Sequence, residues 1–324
     1  MSKQLRSREE QSSRKSVIVI VGPTAVGKSE LALHLTKYFP AEIISADSRQ
    51  IYRYMDIGTN KPTPAERLSV PHHVIDVVEP DQDFSLAIYH QLANEALKAI
   101  QQKENLPLMV GGSGLYVWSL VEGWKIPQVP PNQKLRDQLE ARAEQEGSQR
   151  LYLELQDIDP TAAETINPNN TRRIIRALEI YDATGQPSSQ LQRKEVPDFP
   201  ILLIGLTQER SELYEMIDWR VDRMIQRGLV EEVEQLLEKG YSPSLPSMSG
   251  IGYRQIVQFL RNEVTLREAI DRIKYETHRL ARHQYAWFRP GDNRIHWFNT
   301  SKIKAGVNLT ILNKVKRLVE SFIS

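Results

Sequence analysis

Cysteine is absent from all 324 residues, and that absence closes several routes together. There can be no disulfide, no thiolate nucleophile and no cysteine-ligated zinc, and the composition suits a reducing cytosol. A charge excess is missing too. Lys and Arg number 42 against 41 Asp and Glu, a net charge of +1, so any nucleic-acid surface has to come from local clustering. No apolar run approaches the ~18–20 residues that span a bilayer, so no membrane partner is expected. Residues 1–15 are polar and charged with no apolar core, and read as a disordered leader rather than a signal peptide. The expected location is cytoplasmic. No internal repeat is visible. Hydrophobic residues at 40% and charged residues at 26% fit a globular enzyme long enough for a sizeable core and two domains.

What is present begins with Gly22-Pro23-Thr24-Ala25-Val26-Gly27-Lys28-Ser29, directly behind Val17-Ile18-Val19-Ile20-Val21. The stretch fits G-x-x-x-x-G-K-[ST] in its proper context: a β-branched strand, a glycine-rich turn, then a helix opening at Lys28. Glycines let successive N–H groups face one concavity, and the helix N-terminus adds partial positive charge there. Lys28 would reach the terminal phosphates, and the Ser29 hydroxyl would help to hold Mg²⁺. This loop grips a phosphorylated compound.

Further strands are predicted at Ala41 to Ser48, Val74 to Val78, Pro107 to Gly112 and Ile201 to Leu206, with a helix over Leu86 to Gln102. Strands alternating with helices predict an α/β fold with a doubly wound parallel sheet, whose ligand sits beyond the carboxyl ends of the strands. Asp47, Gly111, Gly112 and Ser113 fall on that rim. The run Ile126-Pro127-Gln128-Val129-Pro130-Pro131 opens a stretch with no strand pattern and helices at Asn132 to Glu146, Gln149 to Gln156 and Thr171 to Thr184. We therefore expect an inserted all-helical domain over 126–195, and a core made of 16–125 and 196–324. After Leu206 everything reads as helical, with helices at Asp218 to Gln226 and Leu229 to Glu238 and a long helix from Thr265 to Phe288.

Asp47 has two readings: a base or metal-water holder on the phosphate rim, or a cap for the following segment. Arg172, Arg173 and Arg176 cluster at a helix start, where the dipole disfavours cations, which points to phosphate or RNA more than to a solvated face. On the long helix, Arg272, Lys274, Arg279 and Arg282 interleave with Tyr275, Tyr285, Trp287 and Phe288. That is either an RNA surface or an amphipathic helix with buried aromatics. His72-His73 and His278 with His283 lack metal spacing.

The phosphate loop, Ser45-Ala46-Asp47-Ser48-Arg49-Gln50-Ile51-Tyr52, Met55 to Pro62 and Pro71-His72-His73 together resemble the tRNA dimethylallyltransferase family. So do Val110 to Tyr116, Arg172 to Glu179 and Gly250-Ile251-Gly252-Tyr253-Arg254-Gln255, in order, from about Val17 to Pro290. The resemblance implies a P-loop NTPase-like sheet flanked by helices, with the inserted helical domain and a helical C-terminal region. It implies transfer of a dimethylallyl group from dimethylallyl diphosphate to N6 of the adenosine 3′ to the anticodon, within the tRNA anticodon stem-loop. By resemblance, residues 22–29 and Arg220 bind the diphosphate, Ser29 meets Mg²⁺, and Asp47, Thr24 and Lys28 are catalytic. The tRNA contacts implied are Asp47, Ser48, Arg49, Gln50, Ser113, Arg136, Arg172, Arg173, Ile174, Ile175, Arg176 and Ser249 to Arg254. The eukaryotic relatives' Cys/His finger is missing, which makes the chain look bacterial in type, and the resemblance implies a monomer. The rival readings are a P-loop kinase of a small metabolite or nucleoside, and an RNA-binding ATPase that uses nucleotide as a switch.

Overall fold

A computed structural model describes residues 16–301 and 308–324; the predicted leader at 1–15 lies outside them. Two compact units emerge. One joins the described residues up to Val121 with those from Asp198 onward; the other is Glu122–Pro197.

In chain order the first unit opens with β1 (Val17–Val21), α1 (Lys28–Leu35), β2 (Ala41–Ala46), α2 (Pro64–Ser69) and β3 (His72–His73). It continues through α3 (Leu86–Gln102), β4 (Leu106–Gly111) and α4 (Gly114–Val121). The second unit holds β5 (Trp124–Lys125), α5 (Gln133–Glu146), α6 (Ser148–Ile158), α7 (Pro160–Thr165), α8 (Thr171–Thr184), α9 (Ser188–Leu191) and β6 (Arg193–Lys194). The first unit resumes with β7 (Ile201–Thr207), α10 (Arg210–Gln226), α11 (Leu229–Glu238) and α12 (Tyr253–Leu260). It ends with α13 (Leu266–Trp287), β8 (Ile295–Asn299) and α14 (Leu309–Ile323).

The sheet runs β3-β2-β4-β1-β7-β8, and every neighbouring pair is parallel. β1 lies inside it with every residue buried, as expected of an unbroken β-branched run covered on both faces. The expected parallel sheet, flanked by helices, is therefore present. Three predicted details need correction. Val74 to Val78 is not a strand: Val74 and Asp76 adopt positive φ, at 60° and 54°, which no ladder accommodates. The strand lies earlier, at His72–His73, paired with Ile43 and Ile44. The stretch beyond β7 is not wholly helical either, because β8 adds a sixth strand, with Leu203 opposite Ile295. And α10 begins at Arg210, ahead of the predicted Asp218.

The second unit packs its helices around Leu139, Leu151, Leu155, Ala163, Ile174 and Leu178. It is not purely helical: β5 and β6 form a short antiparallel ribbon, with Trp124 opposite Lys194. That ribbon carries the unit slightly beyond the predicted 126–195 at both ends. Among the described residues no helix is long and apolar enough to cross a membrane.

A candidate active site at the phosphate loop

Between β1 and α1 the chain turns through conformations that few residues tolerate. Gly22 sits at φ 141°, and a Cβ there would lie 2.3 Å from the Leu206 carbonyl oxygen of β7. Gly27 at φ 96° launches α1. Between them Ala25 holds φ 68°, a left-handed value unusual for a residue with a side chain. The curl brings the N-terminus of α1 to the carboxyl edge of the sheet, where its orphan N–H groups suit an anion.

Charge gathers at this loop. Lys28 Nζ donates to the Pro23 carbonyl at 2.7 Å. Its pKa is lowered to about 7, first by burial and then by the Arg220 cation, with Asp47 pulling the other way. Arg220, on α10, donates through Nη1 to Thr24 Oγ1 at 3.2 Å. Burial brings the arginine down to about 10, opposed by Asp47, so it stays cationic at neutral pH. Asp47, just past β2, is therefore felt by both cations. Its Oδ1 accepts from Arg49 N at 2.9 Å, closing a local Asx-type turn and not capping a helix. Oδ2 takes no hydrogen bond from the described residues. Ser113, past β4, accepts from Ser48 N through Oγ at 3.0 Å and fixes the same turn.

Thr24, Lys28, Asp47, Ser113 and Arg220 line one cleft of about 830 Å³, together with Ser29, Ser48 to Gln50, Ser249, Ile251, Gly252 and Arg254. Gln50 is committed within the protein. Its Oε1 accepts from Ser45 Oγ at 2.9 Å, and its Nε2 donates to the carbonyls of Thr59 and Asn60 at 3.3 and 3.2 Å. Arg49 donates to Pro246 O, and Arg254 holds Glu276 through Nη2 at 2.6 and 2.7 Å.

Several sequence-predicted contact residues turn out to be structural. Tyr253 is 1% exposed, and its ring fills the space that a Cβ on Gly58 would need. Its hydroxyl donates to Glu232 at 2.6 Å, so its side chain is not offered to RNA. In the second unit, Ile174 and Ile175 are core residues, which removes their side chains from the surface. Arg136 and Arg176 both bind the buried Glu179, while Arg172 and Arg173 are exposed. On α13 both readings of the interleaved aromatics hold in part. Phe288 is buried and Tyr285 bonds Thr207 Oγ1 at 2.9 Å, whereas Tyr275 is 64% exposed. His278 stacks on Tyr214 beside Asp218, and no group of three or more His, Asp or Glu among the described residues could hold a metal.

Two residues escape sequence reasoning. Gln284 of α13 accepts from Thr24 N at 2.7 Å and donates to Gly112 O at 3.1 Å, tying the phosphate loop to the end of β4. Glu232 of α11 accepts from the backbone N–H of Asp56, Ile57 and Gly58. The one available signal for Gln284 was its place on the inward stripe of Ala269, Ile273 and Ala281.

Comparison with known proteins agrees with this geometry. The family model described as IPP transferase matches residues 50–291. A tRNA dimethylallyltransferase of Thermomicrobium roseum is 51% identical over 289 residues, covering 89% of this chain and 88% of that one. One from Dehalococcoides mccartyi is 46% identical, covering 94% and 92%. The crystal structure of a full-length tRNA isopentenylpyrophosphate transferase from Bacillus halodurans superposes with TM-score 0.70 at 37% identity, covering 95% of this chain and 97% of that one. A eukaryotic dimethylallyltransferase, solved acting on tRNA, gives TM-score 0.77 at 29% identity, covering 89% and 74%. A phosphate loop facing Asp47 across one cleft, on a sheet shared with these proteins, leaves one placement: the chain belongs to the IPP transferase family.

Proposed function

We propose that this protein transfers a dimethylallyl group from dimethylallyl diphosphate to N6 of the adenosine 3′-adjacent to the anticodon of a tRNA, releasing diphosphate. The observation that carries it is the placement of Asp47. This carboxylate stands in the same cleft as a phosphate cradle, with one oxygen held by its own turn and the other open to accept a proton.

The reaction breaks the bond between the allylic carbon and the diphosphate oxygen and forms a carbon–N6 bond. The electron pair of the broken bond leaves on the diphosphate; the N6 proton passes to Asp47. An exocyclic adenine amine is a weak nucleophile, so Asp47 takes the proton as the new bond forms. Negative charge grows on the diphosphate as the allyl group becomes cation-like. Lys28, bonded to the Pro23 carbonyl, and Arg220, bonded to Thr24, oppose that charge in a partly desolvated site where such interactions count most. Thr24 Oγ1, oriented by Arg220, is assigned to the leaving diphosphate.

Mg²⁺ fits as a companion of the diphosphate and not as a resident of the protein. The described residues offer no carboxylate or histidine cluster for it, but Ser29 presents an exposed hydroxyl at the head of α1. Bound there, the ion would neutralise the leaving group. Adenosine has to leave the anticodon stack to enter the cleft, at a cost of a few kcal/mol. The exposed Arg172 and Arg173 are the residues we assign to RNA phosphates.

The test is incubation of the protein with an unmodified anticodon stem-loop and labelled dimethylallyl diphosphate, with labelled ATP in a parallel reaction. Label on the RNA from the first and none transferred from the second is expected. Phosphoryl transfer to a small acceptor would replace this reading with a kinase.

A further inference from the structure

The loop after β2 carries one cleft residue that the proposed chemistry leaves unused. Asn60 lines the cleft on the Asp47 side, where Gln50 donates through Nε2 to the Asn60 and Thr59 carbonyls. The backbone around it is pinned. Asn60 N donates to Ile57 O at 3.0 Å, and Glu232 accepts from the N–H groups of Asp56, Ile57 and Gly58. Lys61 is 4% exposed and donates through Nζ to Tyr52 O, to Asp56 Oδ1 at 2.7 Å and to Asp76 Oδ1 at 2.5 Å. Neighbouring polar side chains of the cleft are spent: Thr59 Oγ1 on Met55 O, and Glu66 on Thr63 N and Oγ1. The half-buried Asn60 carboxamide, by contrast, makes no hydrogen bond to any described residue. Its backbone sits at φ 49°, a left-handed turn that asparagine tolerates and glycine would fit as well. The turn therefore accounts for the backbone and not for the amide.

We propose that Asn60 is a specificity-determining residue that reads the edge of one base flanking the target adenosine in the acceptor RNA. The proposal rests on the prenyl-transfer reading above and adds a contact that selects among acceptors. A carboxamide sets a donor beside an acceptor, which pairs with a base edge; a phosphate offers acceptors only and calls for a cation. Sequence in RNA is read from unstacked loop bases through such edges. Pinning the backbone on both sides lowers the cost of fixing the amide, so more of the bond's energy reaches the RNA.

The test measures prenyl transfer by the full-length protein to the anticodon stem-loop and to loops with one flanking base replaced. Asn60→Gly removes the amide and keeps the turn, because glycine adopts that φ freely. Its KM for the unsubstituted loop should rise about tenfold, with inorganic diphosphate still bound as in wild type by calorimetry. At one flanking base, replacement should cost the wild type a similar factor and cost Asn60→Gly nothing further. At the other flanking bases the two changes should simply add. Asn60→Asp tolerates the same turn, loses the donor, and carries the test if the glycine variant fails to fold. A wild-type KM in the folded variant, or additivity at every flanking base, overturns the proposal and leaves Asn60 a turn residue. Wild-type protein that binds diphosphate but labels no loop removes the prenyl-transfer reading itself, and this inference with it.

Discussion

The guanidinium of Arg136 meets the carboxylate of Glu179 edge to edge, with Nε and Nη2 each 2.8 Å from a different oxygen. Arg176 donates to the same carboxylate, and Asn132 N adds a further bond at 2.7 Å. Burial alone would raise the Glu179 pKa, but Arg136 and the other donors hold it below the ordinary range. Removing the carboxylate leaves two arginines around a void. Glu179→Ala should destabilise the protein by about 3–5 kcal/mol, read as a lower denaturant midpoint for the second unit. A depressed folded pKa stabilises above the unfolded value, near 4.3, and is lost as pH falls through the folded one. Acid sensitivity in that window should vanish in Glu179→Gln. A midpoint unmoved in Glu179→Ala refutes the clamp.

Arg172 and Arg173 occupy the same helix without such partners among the described residues, and they are exposed. Replacing both with alanine should raise the KM for tRNA and flatten the log–log salt dependence of binding by roughly one unit per lost phosphate contact. Stability should not move. Salt slopes parallel to wild type would mean that these arginines touch no phosphate.

Asp47→Ala should lower the transfer rate by ~10²–10⁴-fold, the usual loss for a general base, while inorganic diphosphate still binds. Single-turnover chemistry at wild-type speed would remove Asp47 from the mechanism.

Lys28 titrates near 7 in the free cleft. A bound diphosphate favours its charged form and raises that pKa. Binding should therefore take up a proton above pH 7 and weaken with rising pH, by up to about tenfold per unit, while staying flat below pH 7. Calorimetry at pH 8 in buffers of different ionisation heat reads the uptake directly. Lys28→Ala should abolish it; uptake that survives the substitution would assign the proton elsewhere.

Glu232 is the acceptor for three backbone N–H groups and the Tyr253 hydroxyl, and so binds the Asp56-Ile57-Gly58 backbone to the start of α12. Glu232→Ala should reduce kcat/KM for tRNA by about tenfold or more, since three backbone N–H groups and the Tyr253 hydroxyl lose their partner together. Tyr253→Phe, which removes one of those donors, should cost only about 1 kcal/mol of stability. Equal effects from the two variants would argue against the carboxylate as the shared anchor.

What was legible in the sequence is what the chain encodes locally. Residues 17–29 carry strand, turn and helix signals in one run, and strand ends place Asp47 and Ser113 on the rim through topology alone. Arg136 and Arg176 misled because their partner's burial is a tertiary fact: Glu179 looks like any polar residue on a helix until the core closes around it. Ile174 and Ile175 were carried along by adjacent arginines, though on a helix such neighbours point to different sides. The Val74 to Val78 run had the right composition for a strand, yet Lys61 draws Asp76 into an ion pair at 2.5 Å and the backbone turns to allow it. Gln284 lies 260 residues from Thr24, a separation over which no pattern in the sequence signals contact.

The edge strand β8 has a consequence for synthesis. Its partner β7 is made long before it, and Ile295 to Asn299 must emerge before β7 acquires its outer neighbour. Until then a nascent chain carries a buried-type apolar strand, Ile201-Leu202-Leu203-Ile204-Gly205-Leu206-Thr207, with a row of unsatisfied main-chain groups along one side. The ribosome therefore releases an aggregation-prone strand edge well before the residues that cover it. A chain cut short between Trp287 and Ile295 would keep that edge raw, and should partition to inclusion bodies even though the phosphate loop, Asp47 and Ser113 are all intact.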